Sequence, residues 1–407
     1  MNTLPARQET ASASEVLALA RKLACPLETE RVLLRDAVGR VLREPVEAPE
    51  DQPAFDRSSV DGYAIRQDET SESCQIVDEI RAGDWKPRQL QPGEGVRIAT
   101  GGALPSAGLK VVMREDAEVQ DGILRVRSRD GGCNIRFRGE DARAGQALVE
   151  SGTLLQPGTV ALLASVGCAT PLVTRLPRVL HLATGNEIVP PEQTPAHGQI
   201  RDSNSTFVRA FLKAWGVEPI QLRVAEDESA AKKSLAEALP GVDLLLVSGG
   251  ASVGEHDFTR RLLESFGYTI HVSKTTARPG KPLIFAQRGA SFAFGLPGNP
   301  LAHYVCLNLY ARALLETLSG RPNAGLPEFH TGILAADLTA DAHSRETFWP
   351  ARWDLDKGAI HLNPLRWSSS GDLTALASAN ALVRVAAGVE RWKQGQPVEF
   401  IFTDQRV

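Results

Sequence analysis

The sequence predicts an α/β protein with additional β domains: a doubly wound parallel-sheet domain, β-rich domains and a small β-barrel at the C-terminus. Three observations lead to this fold class. Apolar strands alternate with helical segments across residues 177–321, as in a parallel sheet with helices on both faces. Short β-type runs divided by glycine turns fill most of 74–174. The last eighty-odd residues repeat that β pattern without a convincing helix, which indicates a barrel.

The composition is that of a globular chain with several domains. At 407 residues, with 43% apolar and 23% charged residues, the chain exceeds one ordinary core, and roughly two to four domains are expected. The net charge of −4 provides no basic field for non-specific nucleic-acid binding. The five cysteines lie far apart and no apolar run is long enough to cross a membrane. We therefore expect a cytoplasmic protein that binds neither nucleic acid nor membrane.

The elements of the N-terminal half follow from capping and turn signals. Ser12 and Glu15 form a capping-box pattern that opens a helix to about residue 24. Apolar residues across 33–42 predict a further short helical stretch. The β-type runs and the helix that follow are expected at 96–98, 110–113, 123–126 and 147–149, and at 160–166.

Buried strands begin after Pro177. Residues 244–247 are successive apolar residues, typical of a parallel strand buried on both faces. Ser229 is the expected N-cap of one helix. The expected strands are 179–183, 220–224, 244–247, 283–286 and 292–296, and the expected helices are 205–214, 229–239, 258–266 and a long closing helix at 301–318.

The pattern switches again after Gly320-Arg321-Pro322, where the barrel is expected. Its strands are predicted at 332–334, 348–353, 359–362, 381–385 and 397–402. The predicted domains are therefore 8–48 together with 145–176 (linker or dimerisation), 49–144 (β-rich), 177–321 (α/β) and 328–407 (barrel).

Three glycine-proline loops adjoin strands of the α/β domain. They are Ser248–Asp257, Pro279–Pro282 and Gly295–Pro300. Glycines allow a backbone to approach a ligand with its N–H groups pointing at it, and a neighbouring lysine or carboxylate adds charge for a phosphate or a metal. Since the ends of parallel strands meet at one edge of a sheet, the three loops predict a single site for an anionic ligand.

Carboxylates cluster in sequence near the same edge. Because Mg²⁺ prefers oxygen ligands and shares phosphate coordination, acids beside phosphate-binding glycines suit a magnesium site. The alternative is that each acid caps a helix or faces solvent. The acids expected at this rim, with two basic residues, are Glu187, Asp202, Asp227, Glu255, Asp257, Arg278 and Lys281.

A serine hydrolase is a competing interpretation of the first loop. Gly250 to Gly254 matches G-x-S-x-G, with Ser252 as the nucleophile, and follows an apolar strand. Against it, the helix is expected to begin only after His256, so Ser252 does not lie on a tight strand-to-helix turn. The alternative is a glycine loop whose serine hydroxyl contacts a phosphate.

Eight motifs in order identify a family. They are FDRSSVDGYA, RIATGGALP, NIRFRGED, TGNE, DSN, SGGASVGEHD, PGKP and GLPGNP. Together they resemble the molybdopterin molybdenumtransferase family, which includes bacterial MoeA and the E domain of gephyrin, over nearly the whole chain. The resemblance implies a MogA-like α/β domain and insertion of molybdate into adenylated molybdopterin with release of AMP and a requirement for Mg²⁺. It also implies a homodimer in which the β-rich domain serves the partner's site, and a molybdopterin adenylyltransferase as a partner protein.

The resemblance also implies roles for individual residues. It assigns catalysis to Asp61, Asp141 and Lys281, and the metal to Glu187, Asp227 and Asp257. The residues expected to contact substrate are Thr100, Gly249, Gly250, Ser252, Arg278, Gly280, Pro297, Gly298, Asn299, Arg352 and Ser369.

This chain departs from the family pattern in its site motifs. Arg57 replaces an asparagine, and Arg278 replaces a lysine, which exchanges a point charge for a planar fork. Pro350 stands where R-x-x-F-x-R has its second arginine, and Arg352 lies on the same strand face as a candidate replacement. Ser369, with its neighbours Ser368 and Ser370, is the matching hydroxyl, although a serine-glycine hairpin explains these residues equally well.

Two other functions share this fold. One is a scaffold or binding protein that has lost catalysis; the acids and Lys281 are all present, which argues against it. The other is a molybdopterin adenylyltransferase, which resembles the α/β domain alone and is therefore disfavoured.

Overall fold

The computed structural model describes residues 9–128, 132–225, 227–249, 255–322, 329–340 and 344–403. Contacts divide the chain into two compact units. The first unit contains the residues up to Arg43, Gly152–Gln156 and everything from Leu172 onward, and the second contains Glu44–Ser151 and Pro157–Pro171.

The N-terminal segment of the first unit begins with helix α1 (Ala13–Leu23), which has the predicted capping box. Strand β1 (Thr29–Arg31) follows. The prediction of a helix across 33–42 is wrong, since this stretch contains only a single 3₁₀ turn, Leu34–Asp36. Val41 and Leu42 instead form antiparallel bridges to Leu154 and Val173, so pairing with another part of the chain prevails over the local helical pattern.

The second unit is β-rich, as predicted. Its six-stranded sheet has the order β7-β4-β6-β5-β9-β8, around a core that includes Ile80, Ile98 and Val111. Helix α2 begins at Pro157 rather than at Val160, because the fixed φ of proline suits a first helical turn. The elements are β2 (Val46–Glu47), β3 (Arg57–Ser58), β4 (Gly62–Arg66), β5 (Ser73–Ile80), β6 (Glu94–Ile98), β7 (Leu109–Met113), β8 (Ala117–Gln120), β9 (Ile123–Val126), β10 (Ile135–Arg136), β11 (Ala147–Val149) and α2 (Pro157–Ser165).

The first unit continues with the α/β sheet. Its six strands have the order β16-β13-β17-β20-β19-β18. The elements are β12 (Leu172–Thr174), which pairs with β1, then β13 (Val179–Thr184), β14 (Ile188–Val189), β15 (Ile200–Arg201), α3 (Ser203–Lys213), β16 (Ile220–Val224), α4 (Glu228–Ala238), β17 (Leu244–Ser248), α5 (Glu255–Ser265), β18 (Thr269–Val272), β19 (Ile284–Arg288) and β20 (Ser291–Leu296).

The doubly wound prediction is confirmed by the two faces of this sheet. Leu244 and Leu246 pack with α1, α3 and the closing helix, whereas Leu245 and Val247 pack with α4 and α5. One strand differs from an all-parallel sheet: β19 is antiparallel to both of its neighbours, because a tight turn at Gly289 joins it to β20.

The closing helix is buried along its length and contains a π turn. It consists of α6 (Pro300–Cys306), the π segment Leu307–Ala311 and α7 (Arg312–Leu318). No helix among the described residues is long and apolar enough to cross a membrane.

The predicted C-terminal barrel is confirmed as a closed barrel of five strands in the order β21-β24-β23-β25-β27. Its outer face packs on the closing helix through Phe348, Leu382 and Ile401, and Tyr304 Oη donates to Thr403 Oγ1 over 2.5 Å. Barrel and sheet therefore share one core. The strands are β21 (His330–Leu334), β22 (Leu338–Thr339), β23 (Thr347–Asp356), β24 (Ala359–Pro364), β25 (Ala381–Val385), β26 (Arg391–Trp392) and β27 (Pro397–Phe402).

Candidate functional site

A cavity of about 430 Å³ opens at the C-terminal ends of β13 and β17. These adjacent strands connect to opposite sides of the sheet, so the cavity lies at the topological switch point, where doubly wound folds bind ligands. The side facing the helices is formed by the first residues of α3 and α6. The described lining residues are Ala183, Thr184, Glu187, Ile188, Ile200, Arg201, Asp202, Ser203, Asn204, Ser248, Gly249, Gly298, Asn299 and Pro300.

Gly249 enters this cavity in a conformation that only glycine adopts readily. Its φ is +116°, and a Cβ there would lie 2.1 Å from the carbonyl oxygen of Thr184. The residue is therefore needed for the two strand ends to meet, in addition to its expected contact with substrate. Gly250 and Ser252, also expected to contact substrate, lie outside the described residues.

The acids expected to bind the metal occupy different positions. Glu187 is exposed and lines the cavity, with its carboxylate folded over Gly185. Asp227 is the N-cap of α4, where its Oδ1 accepts the N–H of Ala230 over 2.7 Å, so Ser229 is not the cap. The side chain of Asp257 lies outside the described part of the chain. No three histidine, cysteine or carboxylate side chains of the described residues come together as a metal site.

The donor set at the cavity suits a hard cation in one respect. Glu187 and Thr184 offer a carboxylate and a hydroxyl, and Mg²⁺ takes only one or two protein carboxylates when phosphates supply the remaining oxygens. Asp202 is otherwise engaged. Although burial raises its pKa, hydrogen bonds from Ser205 and Arg223 bring that pKa below the ordinary value, and they fix the carboxylate as the cap of α3.

A buried hydrogen-bond chain orients the hydroxyl of Ser248 in the cavity wall. Gln221 Nε2 donates to the carbonyl oxygen of Ser205 over 2.7 Å and lies 3.4 Å from Nδ1 of His181. His181 Nδ1 is therefore the acceptor, and its Nε2 carries the proton toward Ser248 Oγ, 2.6 Å away. The hydroxyl proton of Ser248 is then available to a ligand oxygen. The sequence did not predict this series of hydrogen bonds, although a histidine inside an apolar strand was a visible signal.

His181 and His303 are both fully buried close to the cavity, and both have lowered pKa values. Burial, reinforced by the charge of His303, lowers the pKa of His181 to about 3, and burial lowers that of His303 to about 4. Neutral rings are therefore kept at physiological pH.

These pKa values predict acid sensitivity. Unfolded histidine binds a proton near pH 6.5 whereas folded His181 does so only near 3, so the free energy of unfolding must fall as pH falls through that interval. Between pH 7 and 5 we expect a loss of about 2 kcal/mol from His181. Urea unfolding of His181→Gln should show a drop smaller by that amount. The exposed His197→Gln is the matched control, and equal drops in both variants would contradict the assignment.

The Pro279–Pro282 loop meets the barrel at a pair of arginines. The backbone of Arg278 exchanges hydrogen bonds with Glu346 and Phe348, which anchors the loop to β23. The guanidinium of Arg278 lies 5.8 Å from the ring centre of Trp367. Burial and the charge of Arg278 lower the pKa of Arg345, so the two cations lie within range of each other's charge. Two guanidinium groups in one region favour the binding of an oxyanion through charge-assisted hydrogen bonds.

Within that loop, Gly280 and Lys281 have different environments. Gly280 is buried with a φ of +124°, and a Cβ there would lie 3.1 Å from the sulfur of Cys306. Lys281 is exposed at the loop surface, and its carbonyl oxygen accepts the N–H of Thr275. A lysine in this position can reach a ligand as a point charge.

The serine loop of the barrel, residues 367–374, lies against the start of α6. Asn299 Nδ2 donates to Ser370 Oγ over 2.8 Å, and the N–H of Leu301 donates to the Ser370 carbonyl oxygen. Ser369 instead accepts the N–H of Gly371 within the turn. Ser370 is thus the hydroxyl beside the Gly295–Pro300 loop, where Gly298 and Asn299 line the cavity and the Pro297 carbonyl accepts from His303.

Arg352, the candidate replacement for an arginine at 350, is exposed on the barrel. Pro350 is buried. Positions 348, 350 and 352 are separated by two residues each along β23, so Pro350 and Arg352 belong to the same strand face as Phe348. Arg345 is the arginine that this strand brings beside Arg278, and sequence reasoning did not select it. Its position depends on the pairing of Arg278 with Thr347, which the local pattern does not reveal.

Asp372 holds the serine loop in shape. Its carboxylate accepts hydrogen bonds from the hydroxyls and N–H groups of Thr374 and Ser368, which lower its pKa to about 2. The loop's stabilisation is therefore present above the ordinary pKa near 3.8 and is lost only as pH falls through about 2. We expect Asp372→Asn to accelerate amide hydrogen exchange at Ser368 and Thr374 at pH 7 by about tenfold. Asp354→Asn on the same barrel is the control, and unchanged exchange in Asp372→Asn would refute this role.

The second unit carries the remaining predicted residues. Asp61 is exposed. Its Oδ1 accepts two hydrogen bonds from Thr100, one from the N–H over 2.7 Å and one from the side-chain hydroxyl over 3.0 Å. These bonds lower the pKa of Asp61, which keeps the carboxylate ionised. Asp141 is also exposed and is paired with Arg136. Arg57, the departure from the pattern, lies in β3 and bridges to Ala103.

Together the sheet, the cavity at its strand ends and the C-terminal barrel define a multidomain α/β protein with a candidate ligand site at the topological switch point. Three family models match the chain. Their descriptions are the MoeA N-terminal region (domain I and II), over residues 11–167, a probable molybdopterin binding domain, over 181–317, and the MoeA C-terminal region (domain IV), over 331–403.

Full-length relatives agree with these matches. The molybdopterin molybdenumtransferase of Nostoc sp. is 33% identical over 408 residues, covering 97% of this chain and 93% of its own. That of Bacillus subtilis is 33% identical over 92% of this chain and 90% of its own. A crystal structure of the molybdopterin biosynthesis MoeA protein from Pyrococcus horikoshii OT3 superposes with a TM-score of 0.77 at 26% identity, covering 97% of this chain and all of that one. This chain belongs to the molybdopterin molybdenumtransferase family, the transferases of molybdenum cofactor biosynthesis.

Proposed function

We propose that this enzyme inserts molybdate into adenylated molybdopterin, releases AMP and requires Mg²⁺. The observation that carries the proposal is the position of residues 298–300 between the strand-end cavity and the serine loop of the barrel. Residues 298–300 line the cavity at the strand ends, and Asn299 also binds Ser370 of the barrel loop. A phosphate ligand and a second oxyanion can therefore be held side by side.

The cavity is the proposed site for the phosphates of the substrate. Ser248 presents a hydroxyl proton to it. Lys281 supplies a mobile positive charge from the neighbouring loop. These are positioning contacts, which act by holding the reacting groups in place rather than by forming a covalent bond to the protein.

Molybdate is the proposed ligand of the arginine pair. Arg278 and Arg345 lie close enough for their charges to interact, and their guanidinium groups match the oxygens of a tetrahedral dianion. Ser370, fixed by Asn299, adds a hydroxyl on the loop whose Trp367 contacts Arg278. Because Arg352 is exposed on the barrel, Arg345 is favoured over it for this contact.

Glu187 is the residue of this chain proposed to hold Mg²⁺, with phosphate oxygens completing the shell. The cation, when bound, would neutralise charge on the phosphates. Asp227 is occupied as a helix cap through one oxygen, so its role in metal binding would use the other. Asp257 is retained as a proposed ligand from the family motif alone.

Asp61 and Asp141 are proposed to act in the cleavage step. Because Thr100 keeps Asp61 ionised, its chemistry is that of a base or an electrostatic group rather than a proton donor. The family resemblance supports a cytoplasmic homodimer in which these residues serve the partner's cavity, with an adenylyltransferase delivering the substrate.

The direct test is an insertion assay with purified protein. AMP release from adenylated molybdopterin should require both molybdate and Mg²⁺. Lys281→Ala should raise the KM for adenylated molybdopterin by roughly tenfold to a hundredfold, the cost of one charged hydrogen bond. Lys274→Ala, at another exposed lysine of the same region, is the matched control. AMP release without molybdate, or no release at all as in a scaffold protein, would overturn the proposal.

A further inference from the structure

The second unit contains a cavity that the α/β site does not use. Its volume is about 650 Å³, within the range of roughly 300 to 1,000 Å³ typical of small-molecule sites. Its walls are mostly apolar, formed by the loop before β3 and by residues 103–107. Its lining residues are Ala54, Phe55, Asp56, Gly83, Trp85, Ala103, Leu104, Pro105, Ser106, Ala107 and Arg138.

Two large aromatic side chains in this cavity are exposed. Phe55 is 50% exposed and Trp85 is 62% exposed. Trp85 is oriented by a hydrogen bond of 3.4 Å from its Nε1 to the carbonyl oxygen of Leu104. Aromatic faces left open to water in a concave site are suited to stacking on a flat ring of a ligand.

Polar groups converge on the same cavity. One carboxylate oxygen of Asp56 accepts the N–H of Arg138 over 2.7 Å, and its other oxygen has no partner in the part of the chain that the structure describes. Ser106 Oγ is buried and likewise has no hydrogen-bond partner among those residues. A carboxylate oxygen selects a donor such as an amino group.

The cavity is continuous with the loop that carries Asp61. The N–H of Leu104 donates to the carbonyl oxygen of Asp56, and the N–H of Ser58 donates to the carbonyl oxygen of Gly102. The same two chain segments continue to Asp61 and Thr100, which bond to each other. A ligand ring in the cavity would thus lie on the backbone that holds the proposed catalytic carboxylate.

We propose that this cavity binds an amino-substituted bicyclic nitrogen heterocycle, a purine or a pterin, stacked against Trp85 and Phe55 with its amino group donating to Asp56. The inference rests on the proposed function, whose substrate contains both kinds of ring. It goes further by assigning one ring of that substrate to the second unit.

Calorimetric titration of the full-length protein with adenosine and, separately, with pterin tests this assignment and distinguishes the two sources. Trp85→Ala should weaken binding of the correct ring by roughly tenfold or more, the usual effect of losing one stacking partner. Trp85→Phe should restore most of it. Phe137→Ala is the matched control, because Phe137 is 49% exposed in the same unit but does not line the cavity.

Pairs of ligands that differ in a single amino group test the role of Asp56. The wild type should prefer adenosine to inosine, or pterin to lumazine, since the second member of each pair replaces the amino group with a carbonyl oxygen. Asp56→Asn should abolish that preference. Binding of neither ring by the wild type, or equal effects of Trp85→Ala and Phe137→Ala, would overturn the proposal. So would a change of molar mass in Trp85→Ala, which would assign the aromatics to contact between copies of the chain.

These titrations contain no molybdate and measure no turnover, so the two proposals can fail separately. Intact ring binding at Trp85 with no molybdate insertion would refute the proposed reaction alone. Intact insertion with no binding effect at Trp85 would refute the cavity alone.

Discussion

Asp61→Asn is expected to lower the kcat of molybdate insertion by about 10²- to 10⁴-fold, the usual contribution of a positioned proton-transfer group. Asparagine retains an Oδ1 that can accept from the N–H and hydroxyl of Thr100, so the loop keeps its hydrogen bonds. Only the negative charge and its basicity are lost. The measurement is the single-turnover rate of AMP release with saturating substrate.

The control for this change is Asp68→Asn in the same unit. Asp68 is an exposed aspartate, like Asp61, but its partner is Arg66. Both variants should unfold at the same urea concentration as the wild type, since exposed substitutions of this kind change stability by about 0.5 kcal/mol or less. An Asp61→Asn enzyme with a rate within a few fold of the wild type would remove Asp61 from the mechanism.

Gly249→Ala is expected to lower the free energy of unfolding by about 3 kcal/mol or more and to abolish phosphate binding in the cavity. Two effects add. The backbone at φ +116° disfavours any side chain, and the new Cβ would meet the Thr184 carbonyl oxygen at 2.1 Å, which forces the ends of β13 and β17 apart. Urea unfolding and titration with AMP measure the two consequences.

Gly289→Ala separates these effects. Gly289 also has a positive φ, +56°, but no atom lies within 4 Å of its Cβ position. The Gly289→Ala substitution should lower the free energy of unfolding by about 1 kcal/mol and leave the cavity unchanged. If both variants lose the same stability, the contact with Thr184 has no part in positioning the Gly249 loop.

The α/β sheet was predictable because its signals are local. Successive apolar residues in β17 and the capping box of α1 each act over a few residues, and the structure has both. The helix predicted across 33–42 was wrong for the opposite reason. Its apolar spacing suits a helix, but Val41 and Leu42 pair with residues more than a hundred positions away.

The start of α4 shows the limit of a capping argument. Both Asp227 and Ser229 are suitable N-caps, and sequence alone favoured the serine. The structure uses Asp227, whose carboxylate accepts from Ala230. One consequence is functional: an acid assigned to the metal from a motif also has a structural task, which was the alternative held open for each acid.

The arginine pair was beyond sequence reasoning because it joins two domains. Arg278 was selected from its motif, but Arg345 lies beside it only because the loop pairs with β23. The spacing within R-x-x-F-x-R directed attention to position 350 and to Arg352 instead. The buried His181 was missed because its role depends on Gln221 and Ser248, which lie on two other strands.

The shared segment at the start of α6 has a thermodynamic consequence. Its residues border the strand-end cavity on one side and bond to Ser370 on the other, through Asn299 and the N–H of Leu301. A ligand that shifts this segment must alter the free energy of binding at both places. By linkage, occupancy of either place changes the dissociation constant at the other by the same factor. The two anions are therefore expected to bind cooperatively, in either order of arrival.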